Sequence, residues 1–183
     1  FLDVPMDAWY AQSVYYVQAQ GLMSGTGSGT FSPNLPMTRG MLVTVLYRVA
    51  GSPALSDSAL DAQFSDVPQD TWYANGIYWA RSEGIASGYS EEEFGPNDSV
   101  TREQLVTFLY RYAQRKGLKT DAVGSLDQYP DAGSIGNFAV EPMTWAVTNG
   151  IVDGLDGKLA PKAASTRAQI ATVIMRFETA DLA

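Results

Sequence analysis

The chain has 183 residues, of which 45% are hydrophobic, carries a formal net charge of −8, and contains neither cysteine nor histidine. The absence of cysteine excludes disulfides and thiol nucleophiles, and the absence of histidine removes the commonest general base and metal ligand. We therefore expect a folded chain without a metal or cofactor, and an acidic chain lacks the basic face that nucleic acid requires.

Two segments of the chain are copies of one unit. Repeat 1, residues 1–51, opens with "FLDVP", and repeat 2, residues 64–115, opens with "FSDVP" and aligns with repeat 1 without a gap. Repeat 3, residues 129–178, is a more divergent copy with small insertions and deletions. Segments 52–63 and 116–128 lack a sustained amphipathic pattern, so we interpret them as linkers.

Each repeat is predicted to begin with an amphipathic helix that ends at glycine, which tolerates the left-handed conformation after a helix. The expected bounds are Asp7 to Gly21, Asp70 to Gly84, and, in repeat 3, a late start with Pro142 in the first turn and an end at Gly150. A glycine-rich loop follows in every repeat. The residues expected to anchor these loops to the core are Phe31, Phe94 and Leu159.

The second predicted helix of each repeat carries apolar residues at i, i+3, i+4 and i+7, so three equivalent stripes can share one core. The expected N-caps are Thr38, Thr101 and Thr166. Two short helices and a loop cannot bury both stripes of a repeat alone, so the repeats must pack on one another. Periodicity does not choose between an open stack and a closed ring.

An arginine follows each N-cap threonine, and we call Arg39, Arg102 and Arg167 the T-R arginines. A cation in the first turn opposes the helix dipole and costs about 0.3–1 kcal/mol, so its triplicate placement needs a reason. Free backbone N–H groups at the helix start, with a bidentate arginine beside them, can bind an anion. Alternatively, each arginine pairs with a carboxylate of a neighbouring repeat or lays its stem over apolar surface.

Three further arginines lie near the carboxyl ends of the second helices, and we call Arg48, Arg111 and Arg176 the helix-end arginines. A cation there complements the helix dipole. It can also meet the aspartates that open the repeats, Asp3, Asp66 and Asp131. We therefore expect the helix-end arginines to be structural.

Several motifs recur in order: F-x-D-V at the start, W-Y-A opening the first helix, G-[LI]-x-S-G, F-x-P-N, and T-R opening a helix that ends in L-Y-R. In these motifs the chain resembles a tandem of three S-layer homology (SLH) domains, the modules that anchor exported bacterial proteins to the cell wall. The resemblance implies a mainly α protein, in which three two-helix-plus-loop repeats form one pseudo-threefold body with a central three-helix bundle. It also implies an extracellular location at the cell wall or S-layer.

The function that the resemblance implies is non-catalytic binding of an anionic secondary cell-wall polysaccharide, often pyruvylated, in grooves between repeats, with the T-R arginines engaging the acidic sugar. The candidate ligand-binding residues are Arg39, Arg102, Arg167, Trp9, Trp72, Ser24, Gly25, Ser87, Gly88 and Gly154. The two tryptophans can stack on a sugar or fill a gap between repeats. Turn geometry explains the loop glycines as well as ligand approach does.

The family's T-R-A-E motif is only partly kept, because its glutamate is replaced by Met41, Gln104 and Gln169 and its alanine by Gly40 and Glu103.

The alternative function is a protein-interaction or self-assembly module of a surface layer, whose grooves receive loops of a partner. A glycan-active enzyme would need a catalytic domain outside these residues. No apolar run approaches the roughly 18–20 residues of a membrane span, so we expect no membrane insertion. We also expect the isolated module to be monomeric.

The divergence of repeat 3 predicts unequal grooves, with those built on repeats 1 and 2 binding more strongly than any that relies on repeat 3. Among the T-R arginines, replacement of Arg167 by Ala is therefore expected to reduce binding least. Each such replacement is expected to leave the fold largely intact.

The absence of histidine predicts how binding depends on pH. No side chain with an ordinary pKa titrates between about pH 5 and 8, so affinity for an acidic ligand should be nearly constant there. It should fall only at lower pH, where ligand carboxylates become protonated. Isothermal titration across this range tests the prediction, and a sharp transition near pH 6.5 would contradict it.

Overall fold

The computed structural model describes residues 1–61 and 63–183, so one residue of the predicted linker 52–63, Ala62, lies outside the described residues. Within the described ranges the chain is mainly helical, with seven α-helices, no β-strand, and no helix long and apolar enough to cross a membrane. The helices are α1 (Ala11–Ala19), α2 (Arg39–Val49), α3 (Asp57–Asp61), α4 (Ala74–Ser82), α5 (Arg102–Arg115), α6 (Val140–Thr148) and α7 (Arg167–Thr179). Two 3-10 helices, Ala132–Ser134 and Asn137–Ala139, precede α6.

The sequence predicts that the first helices of repeats 1 and 2 begin at Asp7 and Asp70. In the structure they begin about one turn later. Tight turns occupy the intervening segment: Ala8 N donates to Pro5 O (3.0 Å) and Ala11 N donates to Ala8 O (2.9 Å). Within the described part of the chain no side chain caps α1 or α4, so the aspartates do not start these helices. The ends are as predicted, with positive φ at Gly21, Gly84 and Gly150.

The second helices, α2, α5 and α7, begin where the sequence predicts. The hydroxyl of each N-cap threonine accepts a hydrogen bond from the backbone N–H three residues on, and α5 and α7 complete a capping box with Gln104 and Gln169. Met41 holds that position in α2 and has no side-chain acceptor. The predicted apolar stripes are buried except for Val49, the i+7 residue of the stripe that begins at Leu42 on α2, which is half-buried. The loop anchors Phe31, Phe94 and Leu159 are fully buried.

Each second helix packs on the first helix of the next repeat: α2 on α4, α5 on α6, and α7 on α1. Because the last of these contacts joins repeat 3 to repeat 1, the three repeats form a closed ring, not an open stack. The helix α2 also contacts α5, and Tyr112 of α5 lies against Phe177 of α7 with ring centroids 5.9 Å apart. A pseudo-threefold axis and a central three-helix bundle remain predictions that fit this connectivity.

A closed triangle of backbone hydrogen bonds joins the segments that precede the three second helices. Met37 N donates to Ser165 O, Ser165 N to Val100 O, and Val100 N to Met37 O, each over 2.9 Å. All three residues are buried, and the Ser165 hydroxyl is a buried polar group without a hydrogen-bond partner in the described chain. Such a group loses its water partners on folding and gains none.

Replacing Ser165 with Ala should therefore raise the free energy of unfolding by about 1 kcal/mol, measured by chemical denaturation. The backbone triangle needs no side chain and should survive. As a control, Thr172→Ala removes a buried hydroxyl that donates to Ala168 O (3.0 Å), and it should lower stability. A less stable Ser165→Ala variant would show that the hydroxyl has a favourable partner.

Candidate functional site

Three grooves lie between the repeats, and each combines four parts. These are the loop and second helix of one repeat, the T-R arginine of the preceding repeat, and an aromatic residue of the following repeat. Groove 1, about 220 Å³, is lined by Ser24, Gly25, Met41, Arg48, Arg167 and Trp72. Groove 2, about 400 Å³, is lined by Ser87, Gly88, Gln104, Arg111, Arg39 and Phe138. Groove 3, about 310 Å³, is lined by Asp153, Gly154, Gln169, Arg176, Arg102 and Trp9.

Every residue that the sequence nominated for ligand binding lines one of these grooves, and their binding role stays a prediction. Because each T-R arginine reaches the next repeat around the ring, Arg167 belongs to groove 1 and Arg102 to groove 3. The expectation that Arg167→Ala weakens binding least assumed that each arginine serves its own repeat. That assumption is wrong, since repeat 3 receives its arginine from repeat 2.

The T-R arginines are buried, with 3%, 3% and 8% of Arg39, Arg102 and Arg167 exposed. In Arg39, Nε donates to Phe94 O (3.0 Å) and Nη2 donates to Ser87 O (3.3 Å), both in the loop of the next repeat. The same pair of bonds recurs from Arg102 to Leu159 O and Asp153 O, and from Arg167 to Phe31 O and Ser24 O. Each arginine therefore holds a neighbouring loop by two backbone carbonyls.

Neither sequence-based explanation of the T-R arginines is complete. They reach the neighbouring repeat, but they bond to carbonyls, not to carboxylates. The guanidinium groups of Arg39 and Arg167 also lie over aromatic rings, with the guanidinium carbon 4.6 Å from the Phe94 ring centroid in Arg39 and 4.4 Å from the Phe31 centroid in Arg167. This cation–π contact partly replaces the lost hydration of the cation.

The helix starts do not offer free N–H groups to an anion, so that part of the prediction is wrong. Arg39 N donates to Asp98 O and Gly40 N donates to Pro96 O, each over 2.9 Å. The first two N–H groups of α5 and α7 are likewise taken by loop carbonyls of the next repeat. Closing the ring thus satisfies the donors that an isolated helix would present.

The T-R guanidinium groups are buried and therefore partly desolvated. Burial lowers the pKa of Arg39, Arg102 and Arg167 from the ordinary value. Among the described residues, none of them forms an ion pair with a carboxylate, and Nη1 of each has no protein acceptor. Each groove wall therefore carries a buried cation that donates to backbone carbonyls and is balanced only at longer range by aspartates such as Asp3 near Arg167.

The helix-end arginines also line the grooves, which the sequence analysis missed because it gave them a structural role. Their contacts differ: Arg48 Nη1 donates to Leu22 O (3.1 Å), Arg111 Nη1 to Ser87 Oγ (3.4 Å), and Arg176 Nη2 pairs with Asp153 Oδ2 (2.9 Å). Helical spacing offered a signal, since Arg48 lies two turns after Met41 on the same face of α2.

The aspartates expected to meet the helix-end arginines have another partner. The Asp3 carboxylate accepts hydrogen bonds from Phe31 N and Ser32 N, each over 2.7 Å. These bonds, led by that from Phe31 N, lower the pKa of Asp3. Asp66 and Asp131 hold the same position in their own repeats by accepting two loop N–H groups each. The aspartates therefore shape the loops within a repeat, and the T-R arginines hold those loops from outside.

The exposed aromatic residues stand at the groove edges. Trp9 is 65% exposed and Trp72 is 62% exposed, so neither fills a gap between repeats. Each ring packs edge-on against the tyrosine that follows it, Tyr10 or Tyr73, which leaves an indole face open. In groove 2 the half-exposed Phe138 takes this place. A flat aromatic face beside a cation is an arrangement suited to a sugar ring that carries an acid.

The loop glycines are explained by packing inside each repeat. A Cβ on Gly25 would lie 2.6 Å from Thr30 O and 2.8 Å from Cε1 of Phe1. The Phe64 ring crowds Gly88 in the same way, so these glycines are required whether or not a ligand is bound.

The grooves differ in charge. Groove 1 has two arginines and no carboxylate among its lining residues, groove 2 has two arginines and Glu103, and groove 3 has two arginines with Asp153 and Asp156. Glu103 is engaged elsewhere: its Oε2 accepts from Gly136 N (2.9 Å) and its Oε1 pairs with Lys162 Nζ (2.5 Å). Groove 1 therefore presents the most cationic wall.

Comparison with known proteins agrees with the repeat pattern. The sequence model of the S-layer homology domain matches residues 1–40, 63–106 and 128–171. The chain is 31% identical over 175 residues to an endoglucanase of Bacillus sp. strain KSM-635, and the match covers 95% of the chain and 18% of that enzyme. It is 30% identical over 160 residues to the surface-layer 125 kDa protein of Lysinibacillus sphaericus, covering 85% of the chain and 13% of that protein.

A cellulosome-anchoring protein of Acetivibrio thermocellus is 26% identical over 157 residues, a match that covers 85% of the chain and 32% of that protein. The chain thus spans about a third or less of the length of each of these relatives. The endoglucanase matches through its S-layer homology region, a small share of its sequence.

The buried position of the T-R arginines predicts a stability effect, contrary to the expectation from sequence. Arg167→Ala should lower the free energy of unfolding by about 2–4 kcal/mol, because it removes two charge-assisted hydrogen bonds and leaves the carbonyls of Phe31 and Ser24 unpaired. Arg48→Ala, which changes the exposed arginine of the same groove, should stay within about 0.5 kcal/mol. Equal effects of the two substitutions in urea denaturation would refute this division of roles.

Proposed function

This chain belongs to the S-layer homology domain family, and on that premise we propose that it is a non-catalytic anchoring module whose grooves bind an acidic cell-wall polysaccharide. The family and the surface-layer relatives place the chain outside the cell, at the wall or surface layer. Its relatives include an endoglucanase and surface-layer proteins, which differ in the sequence outside the matched region. Anchoring is the role that proteins with such different remainders can share.

Groove 1 is the observation that carries the proposal. Its wall holds the exposed Arg48 and the Arg167 guanidinium, which is fixed by two loop carbonyls and whose Nη1 has no acceptor within the described part of the chain. A carboxylate that enters can form charge-assisted hydrogen bonds worth about 1.5–3 kcal/mol each. The exposed indole of Trp72 offers a flat surface for the sugar ring beside that carboxylate.

The apolar part of groove 1 favours a particular kind of acid. Met23, Met37, Met41 and Val45 also line it, so a carboxylate that carries a methyl group can satisfy both the cations and the apolar wall. A pyruvate ketal on a sugar has this composition, and it is our candidate for the acidic group. The chain's net charge of −8 provides no long-range attraction for such a ligand, so recognition depends on the local arrangement of the arginines.

Repetition of the groove suits a polymer. Once one acidic sugar is bound, a second on the same polysaccharide is presented to the next groove at high effective concentration. Modest affinity for one sugar can therefore give firm attachment to the wall. The rival function, a protein-interaction module, would use the same grooves for loops of a partner.

Pull-down with cell-wall sacculi distinguishes the two functions. Binding should be strong to intact sacculi and lost after chemical stripping of the polysaccharide. Undiminished binding to stripped sacculi would contradict the proposal and favour the rival.

Arg48→Gln should weaken binding of a pyruvylated monosaccharide by about tenfold or more, because it removes an exposed groove cation. The matched control is Arg115→Gln, which makes the same change at an exposed position outside the three grooves, where Arg115 pairs with Glu83. Calorimetry measures both affinities, and thermal denaturation checks that both variants fold like the wild type. Equal weakening in the two variants would mean that only the overall charge matters.

A further inference from the structure

We propose that groove 3 is closed to acidic ligands by a carboxylate of the protein itself, that of Asp153. The inference rests on the proposed function and refines it, because it distinguishes grooves that the repeat pattern makes equivalent. Asp153 takes the place that Ser24 and Ser87 hold in the other grooves: the backbone carbonyl of each accepts the Nη2 bond of the T-R arginine. Only in repeat 3 is the side chain at this position an acid.

That side chain occupies the helix-end arginine. Arg176 Nη2 lies 2.9 Å from Asp153 Oδ2, whereas Arg48 in groove 1 donates to a backbone carbonyl and Arg111 in groove 2 to a serine hydroxyl. The Asp153 carboxylate thus stands where the carboxylate of a ligand would have to stand in order to use Arg176. Asp156 on the same loop adds a second negative charge to the groove.

The pair is placed to exclude a ligand and not to hold the fold together. The Asp153 side chain is 69% exposed and that of Arg176 is 36% exposed, so solvent screens the pair and it contributes little to stability. An entering anion must displace one carboxylate from Arg176 and then remain beside it. Groove 3 keeps the shape of an anion site, including Trp9 and Arg102. Its two aspartates, however, cancel the positive charge of its two arginines.

Groove 2 also contains a carboxylate, but it is arranged differently. Glu103 has 5% side-chain exposure and is paired with Lys162, so its charge is already balanced and does not neutralise Arg111. Among the described groove-lining residues, Asp153 is therefore the carboxylate that pairs with a helix-end arginine. Exchanging the residues at this position between repeats should exchange which groove is closed.

The two tryptophans report separately on grooves 1 and 3. In a proton–nitrogen correlation spectrum of the full chain, the indole N–H signals of Trp72 and Trp9 can be assigned with Trp72→Phe and Trp9→Phe variants. On addition of a pyruvylated monosaccharide, the Trp72 signal of the wild type should shift, and the Trp9 signal should stay in place at the same concentrations.

Reciprocal exchange tests the role of Asp153. Asp153→Ser should make the Trp9 signal respond, with affinity at groove 3 raised about tenfold or more, since Arg176 becomes available for a charge-assisted bond. Ser24→Asp should abolish the Trp72 response by giving Arg48 an internal partner. Both positions are exposed, so both variants should unfold at the wild-type temperature.

The outcomes separate this inference from the function on which it rests. A wild type that binds no pyruvylated monosaccharide in calorimetry, and no intact sacculi, overturns the proposed function. A wild type that binds with equal responses of Trp9 and Trp72, or an Asp153→Ser variant whose Trp9 signal stays silent while Trp72 responds, overturns the closure of groove 3 and leaves the proposed function standing.

Discussion

A buried guanidinium that donates to two backbone carbonyls of the next repeat is the contact on which the rest of this molecule depends. It occurs three times, and the third instance, from Arg167 to Phe31 and Ser24, returns from repeat 3 to repeat 1. Because each arginine leaves the first turn of a helix and enters a neighbouring loop, the same side chain closes the ring, orders the loop and forms one wall of a groove. Its unfavourable position in the helix dipole is offset by these contacts.

The two sets of arginines have different roles in the grooves. The T-R arginines are buried and fixed, so they define the shape and the charge of a groove without having to reorganise when a ligand arrives. The helix-end arginines are more exposed, and their partners vary among the grooves: a carbonyl for Arg48, a hydroxyl for Arg111 and a carboxylate for Arg176. Three copies of one unit that share the buried arginine contacts, but give their helix-end arginines different partners, can keep the fold while the grooves diverge.

Much of this could be predicted from sequence, since a motif that recurs three times marks both structure and site. The N-caps, the second helices, the loop anchors and the candidate ligand-binding residues that line the grooves follow from such recurrence, whereas the groove position of the helix-end arginines does not. A recurring motif does not show which repeat contributes the loop that its arginine contacts. The sequence analysis therefore places Arg167 in the wrong groove. The prediction of free N–H groups at the helix starts is wrong for the same reason, because their acceptors, such as Asp98 O for Arg39 N, lie in another repeat.

We infer that the three repeats form one cooperative unit, because each completes the core and the loop of the next. Differential scanning calorimetry of the whole chain tests this most directly. We expect a single transition in which the calorimetric and van't Hoff enthalpies agree, as in a two-state domain. Two or three separable transitions, one for each independently folding repeat, would contradict it and would mean that the grooves are not built by ring closure.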